Sequence, residues 1–382
     1  MIGKKEFRVF FVIDYIWDYR IPFYKKFCQY FDVLFLITNR VQKVQNLKSI
    51  LKTNYIISQN SIKPLNILLK EKYSVLIWGE AGTQPFIYSL LNGLLCLLIC
   101  KIRKKAFITW FGGWEFTQDN FWGQGIKQYI KRIGSRILIP FLLKRSDAII
   151  TYGRLHKKIY SSLGIKSDKI FIAPNTTILE YDEKFVKQES RRVRESLKLL
   201  GKKIVLYVGR LEKRKNVELL LRAFARISNS NVALIIIGDG SLKKHLIDLC
   251  KTENITNVYF LGKLRREELA PYYFLCDVFV YPTIFEPWGL AVNEAMQFGK
   301  PIIATYKTAA AYDLIIQGVN GFIIRDNDVE ELSRLLLLLI SNEKLVKAMG
   351  EKSKQIIKEK GFTIEDMLRA FKKAIKYSIE SR

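Results

Sequence analysis

The stretch Val280–Thr305, VYPTIFEPWGLAVNEAMQFGKPIIAT, decides how the rest of the chain is read. The apolar run from Val278 to Tyr281 follows Asp277 and reads as a buried parallel strand. Pro282 and Pro287 bracket a loop that carries Glu286. Gly289 opens an amphipathic helix over 290–298, Gly299 stops it, and Pro301-Ile302-Ile303-Ala304 begins the next strand. The amides of Gly289, Leu290 and Ala291 then stand at the positive end of a helix, where a phosphate is favoured. Glu294, one turn beyond Leu290, reaches a ribose hydroxyl pair beside that phosphate. Glu286 reaches a sugar hydroxyl from the loop. Two glutamates alone are more often plain surface residues, so the weight rests on the full string.

That string resembles the signature of the family-4 glycosyltransferases, retaining enzymes of the GT-B fold. Glu286 and Glu294 are separated by seven residues, with the aromatic and proline around the first, then Gly-Leu, Glu-Ala-Met and Gly-Lys-Pro. The resemblance implies an α/β chain of two Rossmann-like domains facing each other across a cleft. It also implies that Glu286 contacts the donor sugar, that Glu294 holds the ribose, and that the 289–291 amides meet sugar and phosphate. Upstream, Gly209-Arg210 and Lys215 follow the apolar run Ile204–Val208 and resemble the family's GR…K element, which implies diphosphate binding. Two cations at the carboxyl end of a strand suit that task. Asn216 stands where the family commonly has glycine and is compatible with a helix cap. Gly238-Asp239-Gly240 matches the family's Gly-Asp-Gly turn, and the backbone near Gly262 and Lys263 is where the family meets the nucleotide base.

A chain of 382 residues with 49% apolar content is long enough for two cores. The reading divides it into an acceptor-binding domain over 1–175, a connection over 176–200 with a helix from 182 to 199, a nucleotide-sugar domain over 201–362, and a last helix from 363 that returns to the first domain. Apolar runs at 7–13, 33–37, 75–78, 107–111, 148–151 and 171–175 alternate with helical patterns, which implies parallel sheets with ligands at the carboxyl ends of the strands. Helices are expected at 22–31, 84–100, 125–143 and 155–163, and another at 266–274. No signal peptide is apparent. The most apolar stretch, 85–100, is shorter than the roughly 20 residues that span a bilayer. Five cysteines lack any metal-binding spacing and suit a reducing cytosol.

Two loops of the first half are candidates for acceptor or donor-sugar contact. In 14–20, bulky aromatics replace the family's glycine-rich loop; Trp17 or Tyr19 suits stacking on a sugar and Arg20 a phosphate. In 110–115, Gly112, Gly113 and Glu115 stand where many members carry a histidine, and here there is none. The chain has two histidines, His156 and His245, both read as surface residues. Thr308–Ala311 departs from the family's Gly-Gly and glutamate. Asp326-Asn327-Asp328 is formally a DxD triplet but reads as a turn that caps the helix from Val329.

The formal net charge of +27 asks for an anionic partner. Residues 126–145 hold six Lys and Arg and no acid among many Ile and Leu, the pattern of a helix that lies on anionic lipid. Nucleic acid is not expected, since the charge is spread through an enzyme-like pattern without a nucleic-acid motif. The expected function is therefore retaining transfer of a sugar from a nucleotide diphosphate donor, UDP- or GDP-linked, to a hydroxyl of a glycan or lipid-linked oligosaccharide, in cell-surface polysaccharide synthesis. The resemblance implies no metal, no cofactor and no protein base. The place expected is the cytoplasm, peripherally on the inner face of the membrane. A nucleotide-sugar epimerase, or a non-catalytic anionic-surface or nucleic-acid-binding protein, is the alternative.

Overall fold

The computed structural model describes residues 7–38, 54–57, 63–79, 86–113, 126–177, 179–227, 231–360 and 362–382. Two compact units emerge: Met1–Asn175 with Thr363–Arg382, and Thr176–Phe362. Each is built on an open parallel sheet, as expected for an α/β chain of two Rossmann-like units.

In the first unit, strands β1 (Arg8–Ile13), β2 (Asp32–Ile37), β3 (Asn54–Ile57), β4 (Val75–Gly79), β5 (Ala106–Trp110), β6 (Ala148–Thr151) and β7 (Ile170–Ile172) lie in the order β3-β2-β1-β4-β5-β6-β7. Five of these strands are near-continuous apolar runs because helices cover both faces. Val9, Phe11 and Ile13 pack on one face against Phe23 and Phe27 of the helix Ile21–Tyr30 and Phe371 of the helix Ile364–Glu380. Phe10 and Val12 face Leu90 and Leu97 of the helix Phe86–Ile102 and Ile139 and Leu143 of the helix Ile126–Arg145. The helix Ile364–Glu380 starts on a reciprocal cap between Thr363 and Asp366.

The second unit holds β8 (Lys203–Val208), β9 (Val232–Ile237), β10 (Val258–Gly262), β11 (Val278–Tyr281), β12 (Ile302–Thr305) and β13 (Gly321–Ile324) in the order β10-β9-β8-β11-β12-β13. The helix Glu183–Ser196, capped by the Asp182 side chain on the Phe185 amide, belongs to this unit. Both sheets reverse their strand order next to their first strand, between β1 and β4 and between β8 and β11. Such switch points open a crevice outside the carboxyl ends, where ligands of open α/β sheets bind.

Three local readings need correction. Strand β3 was not expected, because Asn54–Ile57 is too short to announce itself without its partner Leu34–Ile37. The expected helix over 266–274 is a 3-10 turn, Arg266–Glu268, followed by the helix Ala270–Leu275; Pro271 lacks an amide and so starts a helix rather than continuing one. His156 is fully buried, not a surface residue, lying edge-on to Tyr152 and Tyr160 on the inward side of the helix Arg154–Ser162. His245 is exposed and pairs with Glu218.

Candidate active site

The carboxyl ends of β8, β11 and β12 carry three loops tied together by backbone hydrogen bonds. The Ile284 amide donates to the Arg214 carbonyl (2.9 Å), the Glu286 amide to Lys307 (3.0 Å), and the Ala309 and Ala310 amides to Glu286 and Trp288 (3.1 and 3.0 Å). The Thr283 and Thr308 hydroxyls, both fully buried, meet at 2.8 Å. The loop that follows β8 turns through the 3-10 segment Lys213–Lys215 and leaves through Asn216 in the left-handed region, φ 50°. Asn216 does not cap the next helix with its side chain, as its type suggested; the side chain instead donates to Asn327. Asparagine tolerates the left-handed conformation better than most residues, which accounts for its place in this turn.

That turn aims Lys215 inward. Lys215 is 5% exposed and donates from Nζ to Glu286 and to the Tyr281 hydroxyl (2.7 Å). Arg214 Nη1 reaches the same Glu286 oxygen at 3.3 Å, and the Tyr281 hydroxyl lies 3.2 Å from it. Burial alone would raise the Glu286 carboxyl, but the two cations outweigh it and hold the group below the usual carboxylate range. Burial pulls the Lys215 ammonium down, and Glu286 opposes that pull. Arg210 stands outside, largely exposed, and pairs with Glu212, which also binds Arg214. The order Arg210–Glu212–Arg214–Glu286–Lys215 alternates in sign. Two cations, Lys215 and Arg214, therefore hold the Glu286 carboxylate at a switch point while Arg210 pairs with Glu212, and each cation is able to exchange its partner for an incoming diphosphate.

The helix Leu290–Gln297 begins after Glu286 and the short link Pro287-Trp288-Gly289. Its first internal bond runs from the Val292 amide to Gly289, so the Leu290 and Ala291 amides precede the hydrogen-bonded ladder. Gly289 has φ 103°, and a Cβ there would press on Thr308 and Tyr281 at 3.1 Å, so glycine is required by both conformation and space. Glu294, 7% exposed, accepts from the Tyr273 hydroxyl (2.9 Å) and lies 3.4 Å from Arg266 Nε. Burial raises its carboxyl above the usual value despite Arg266 and Tyr273. The remaining glycines form a second cluster at the ends of β8, β9 and β10. Gly209 donates to Ile237 and Gly238 to Gly262, and a Cβ on Gly238 would fall 1.8 Å from the Gly209 carbonyl. Lys263 follows in the open.

The sequence reading brought Glu286, Lys215, Arg210 and the 289–291 amides to one place, and the structure sets them around the same loops. It missed Arg214, Tyr281 and Tyr273. Arg214 stood in the run Lys213-Arg214-Lys215, where only the 3-10 turn distinguishes one cation from another. In the first unit, Trp17 and Arg20 flank the loop after β1, and Gly112 lies against the Tyr152 ring, where a Cβ would meet it at 1.9 Å. The Gly113 carbonyl accepts from Tyr160 (2.8 Å), a packing contact. Glu115 lies outside the described residues. Asp328 caps the helix Val329–Ile340 on the Glu331 amide (2.8 Å), the part expected of it in the Asp326-Asn327-Asp328 triplet.

Residues 189–356 match the profile of the glycosyl transferases of group 1. An uncharacterized glycosyltransferase of Methanocaldococcus jannaschii is 28% identical over 291 residues, 74% of this chain and 71% of that one. A Campylobacter jejuni N-acetylgalactosamine-N,N'-diacetylbacillosaminyl-diphospho-undecaprenol 4-alpha-N-acetylgalactosaminyltransferase is 25% identical over 255 residues, 66% and 65% of the two chains. The aligned segments span 43%, 71% and 46% of three curated relatives at 28 to 31% identity. Among solved structures, Anabaena HepE in complex with UDP-glucose superimposes with a TM-score of 0.74 at 15% identity over 99% of this chain and all of that one.

Proposed function

We propose, from the match of residues 189–356 to the profile of the group 1 glycosyl transferases, that the chain is a glycosyltransferase. From that premise we propose that the chain moves a sugar from a nucleotide diphosphate donor to a hydroxyl acceptor with retention at the anomeric carbon, in cell-surface polysaccharide synthesis. The observation that carries this reading is Glu286, held ionised between Lys215 and Arg214 on the loop that leads into the helix Leu290–Gln297. A donor diphosphate takes over the cations and the helix amides, which stabilise the charge that grows on it as the glycosidic bond breaks. Glu286, released from part of its pairing, orients the donor sugar. Glu294 receives the ribose hydroxyls. The names of the relatives support a glycan acceptor: the Campylobacter enzyme is named for a diphospho-undecaprenol substrate, and a 24% identical Escherichia coli relative is an O-antigen chain mannosyltransferase.

The helix Ile126–Arg145 supports a station on an anionic membrane surface. Tyr129, Ile133, Ile137 and Phe141, spaced by four, are exposed along it, with Arg136, Lys144 and Arg145 also exposed. Basic residues near such a surface contribute about 1 kcal/mol each. Among the described residues no helix is long and apolar enough to cross a membrane.

The deciding experiment is a thermal-shift screen against UDP, GDP, ADP, CMP and their sugars, with Glu294→Ala and Arg210→Ala beside the wild type. A ligand of the folded state raises the melting point by mass action. One nucleoside diphosphate should give a shift that both variants weaken, and its sugar should then be transferred with the anomeric configuration kept by NMR. No shift with any nucleotide removes the donor reading. Donor turnover without acceptor would point instead to an epimerase.

A further inference from the structure

The first unit has a switch point of its own, and it is built differently. Ile13, Gly79 and Trp110 end β1, β4 and β5, Tyr152 follows β6, and with Tyr19 and Arg20 they border a cavity of about 70 Å³. Gly79 leaves the floor open: a Cβ there would stand 3.1 Å from Trp110 and 3.3 Å from Ile13. Arg20 is 6% exposed, with its guanidinium carbon 4.2 Å from the centre of the Trp110 ring and Nη2 donating to the Tyr152 hydroxyl at 3.1 Å. Nη1 is buried and has no hydrogen-bond partner among the described residues. Among the described residues, no carboxylate pairs with Arg20.

An arginine in a protein stays charged. Burying that charge without a counter-ion is costly, and aromatic faces and a phenol oxygen offset it only in part. The free Nη1 hydrogens need an acceptor, and the guanidinium fork fits the oxygens of a phosphate or carboxylate. Beside it the half-buried Trp17 and Tyr19 rings lie nearly parallel, 6.5 Å apart and inclined by 18°, a face on which a sugar ring can rest.

We propose that this pocket is an oxyanion site: it holds the phosphate or carboxylate of a charged sugar, with Arg20 on the oxygens and the Trp17–Tyr19 face against the ring. That this sugar belongs to the acceptor rests on the transferase reading above; the binding of the anion does not. An acceptor without a negative charge next to its sugar is then a poor substrate.

Hydrogen–deuterium exchange of the full chain tests this, with inorganic phosphate, a hexose 1-phosphate, a hexuronate, a neutral hexose and UDP as separate probes. The expected result is slowed exchange at 15–24 and 110–113 with the hexose 1-phosphate or the hexuronate, the stronger of the two identifying the oxyanion. The neutral hexose should leave these segments unchanged, and inorganic phosphate should protect them at least tenfold more weakly. Arg20→Met should lose that protection by tenfold or more in probe concentration while UDP still protects 209–215 and 286–294. Protection by every anion confined to the second unit overturns the proposal, as does equal protection by the neutral hexose or an unaltered response in Arg20→Met. Inorganic phosphate as effective as the hexose phosphate overturns the sugar half of it. Loss of UDP protection alone sinks the donor reading and leaves this pocket standing. Should Arg20→Met not fold, the wild-type map alone decides.

Discussion

At the β8–β11 switch point Lys215 is 5% exposed and rests between Glu286 and Tyr281; at the β1–β4 switch point Arg20 is 6% exposed and rests between Trp110 and Tyr152. Sheet order, strand ends and burial are alike at the two places, yet one cation has a carboxylate and the other has aromatic faces and one phenol. The paired site holds its counter-ion within the fold, so on the transferase reading a diphosphate has to compete with Glu286 for the cations. The unpaired site is not complete. A buried cation with an internal partner marks a place where a ligand must exchange for that partner, and one without marks a place where the ligand itself is the partner.

The comparison can be broken first at Glu286. Replacing it by Gln keeps its shape and removes its charge, and transfer should fall by about 100-fold or more, the scale of losing one preorganised electrostatic group. Donor affinity measured by titration should change far less, because Lys215 and Arg214 remain. Equal losses in rate and affinity would reduce Glu286 to a structural counter-ion.

The two cations themselves sharpen the contrast. Lys215→Met removes the buried partner of Glu286 and leaves it only the half-buried Arg214, and should cost about 3 kcal/mol in chemical denaturation, as breaking a buried pair does. Lys215→Met with Glu286→Gln should recover part of that loss. Arg20→Met removes a charge that has no carboxylate partner among the described residues, so relief of burial and loss of the Trp110 contact oppose each other, and the change should stay within about 1 kcal/mol. Equal costs at both sites would mean that Arg20 has a compensating partner.

Acid separates the two glutamates. Because the Glu286 carboxyl lies below its ordinary value in the fold, its pairing stabilises the protein above the ordinary carboxylate range, and that stability is lost as pH falls through the depressed value. Glu294, raised by burial, behaves in the opposite sense: protonation is favoured in the fold, so its contribution is present below the ordinary value and fades as pH rises through the raised one. Melting curves from neutral pH downward should therefore show an acid limb that flattens in Glu286→Gln. Donor affinity should weaken at a higher pH than that limb, since protonated Glu294 is a poorer acceptor for ribose hydroxyls, and Glu294→Gln should abolish the step.

The smallest effect belongs to the exposed stripe on the helix Ile126–Arg145. Ile137→Ser should reduce binding to anionic vesicles severalfold at low salt and leave transfer to a soluble acceptor unchanged. Vesicle binding that ignores both salt and this substitution would remove the membrane from the account.

How much of this was legible beforehand depends on how far apart the contributing residues lie in the chain. The second unit's site comes from Gly209–Lys215 and Phe285–Glu294, two contiguous strand–loop–helix segments, and strand, loop, glycine and helix start are all written locally. Arg214 escaped because adjacent cations look alike until a 3-10 turn brings Arg214 and Lys215 to the same Glu286 oxygen. His156 lies outside any loop at a strand end, which suggests a surface residue, but helical phase buries it with Tyr160. The pocket of the first unit draws Ile13, Arg20, Gly79, Trp110 and Tyr152 from four strand ends spread over 140 residues, so no local pattern contains it.

By itself the sequence determined the α/β alternation, the loop glycines and the glutamate–cation set of the second unit, because apolar periodicity, backbone freedom and charge are properties of residues and their near neighbours. Which charges are paired was decided only by the tertiary structure. Pairing depends on distances of a few ångströms between segments far apart in the chain, and on burial that removes the water which would otherwise screen them.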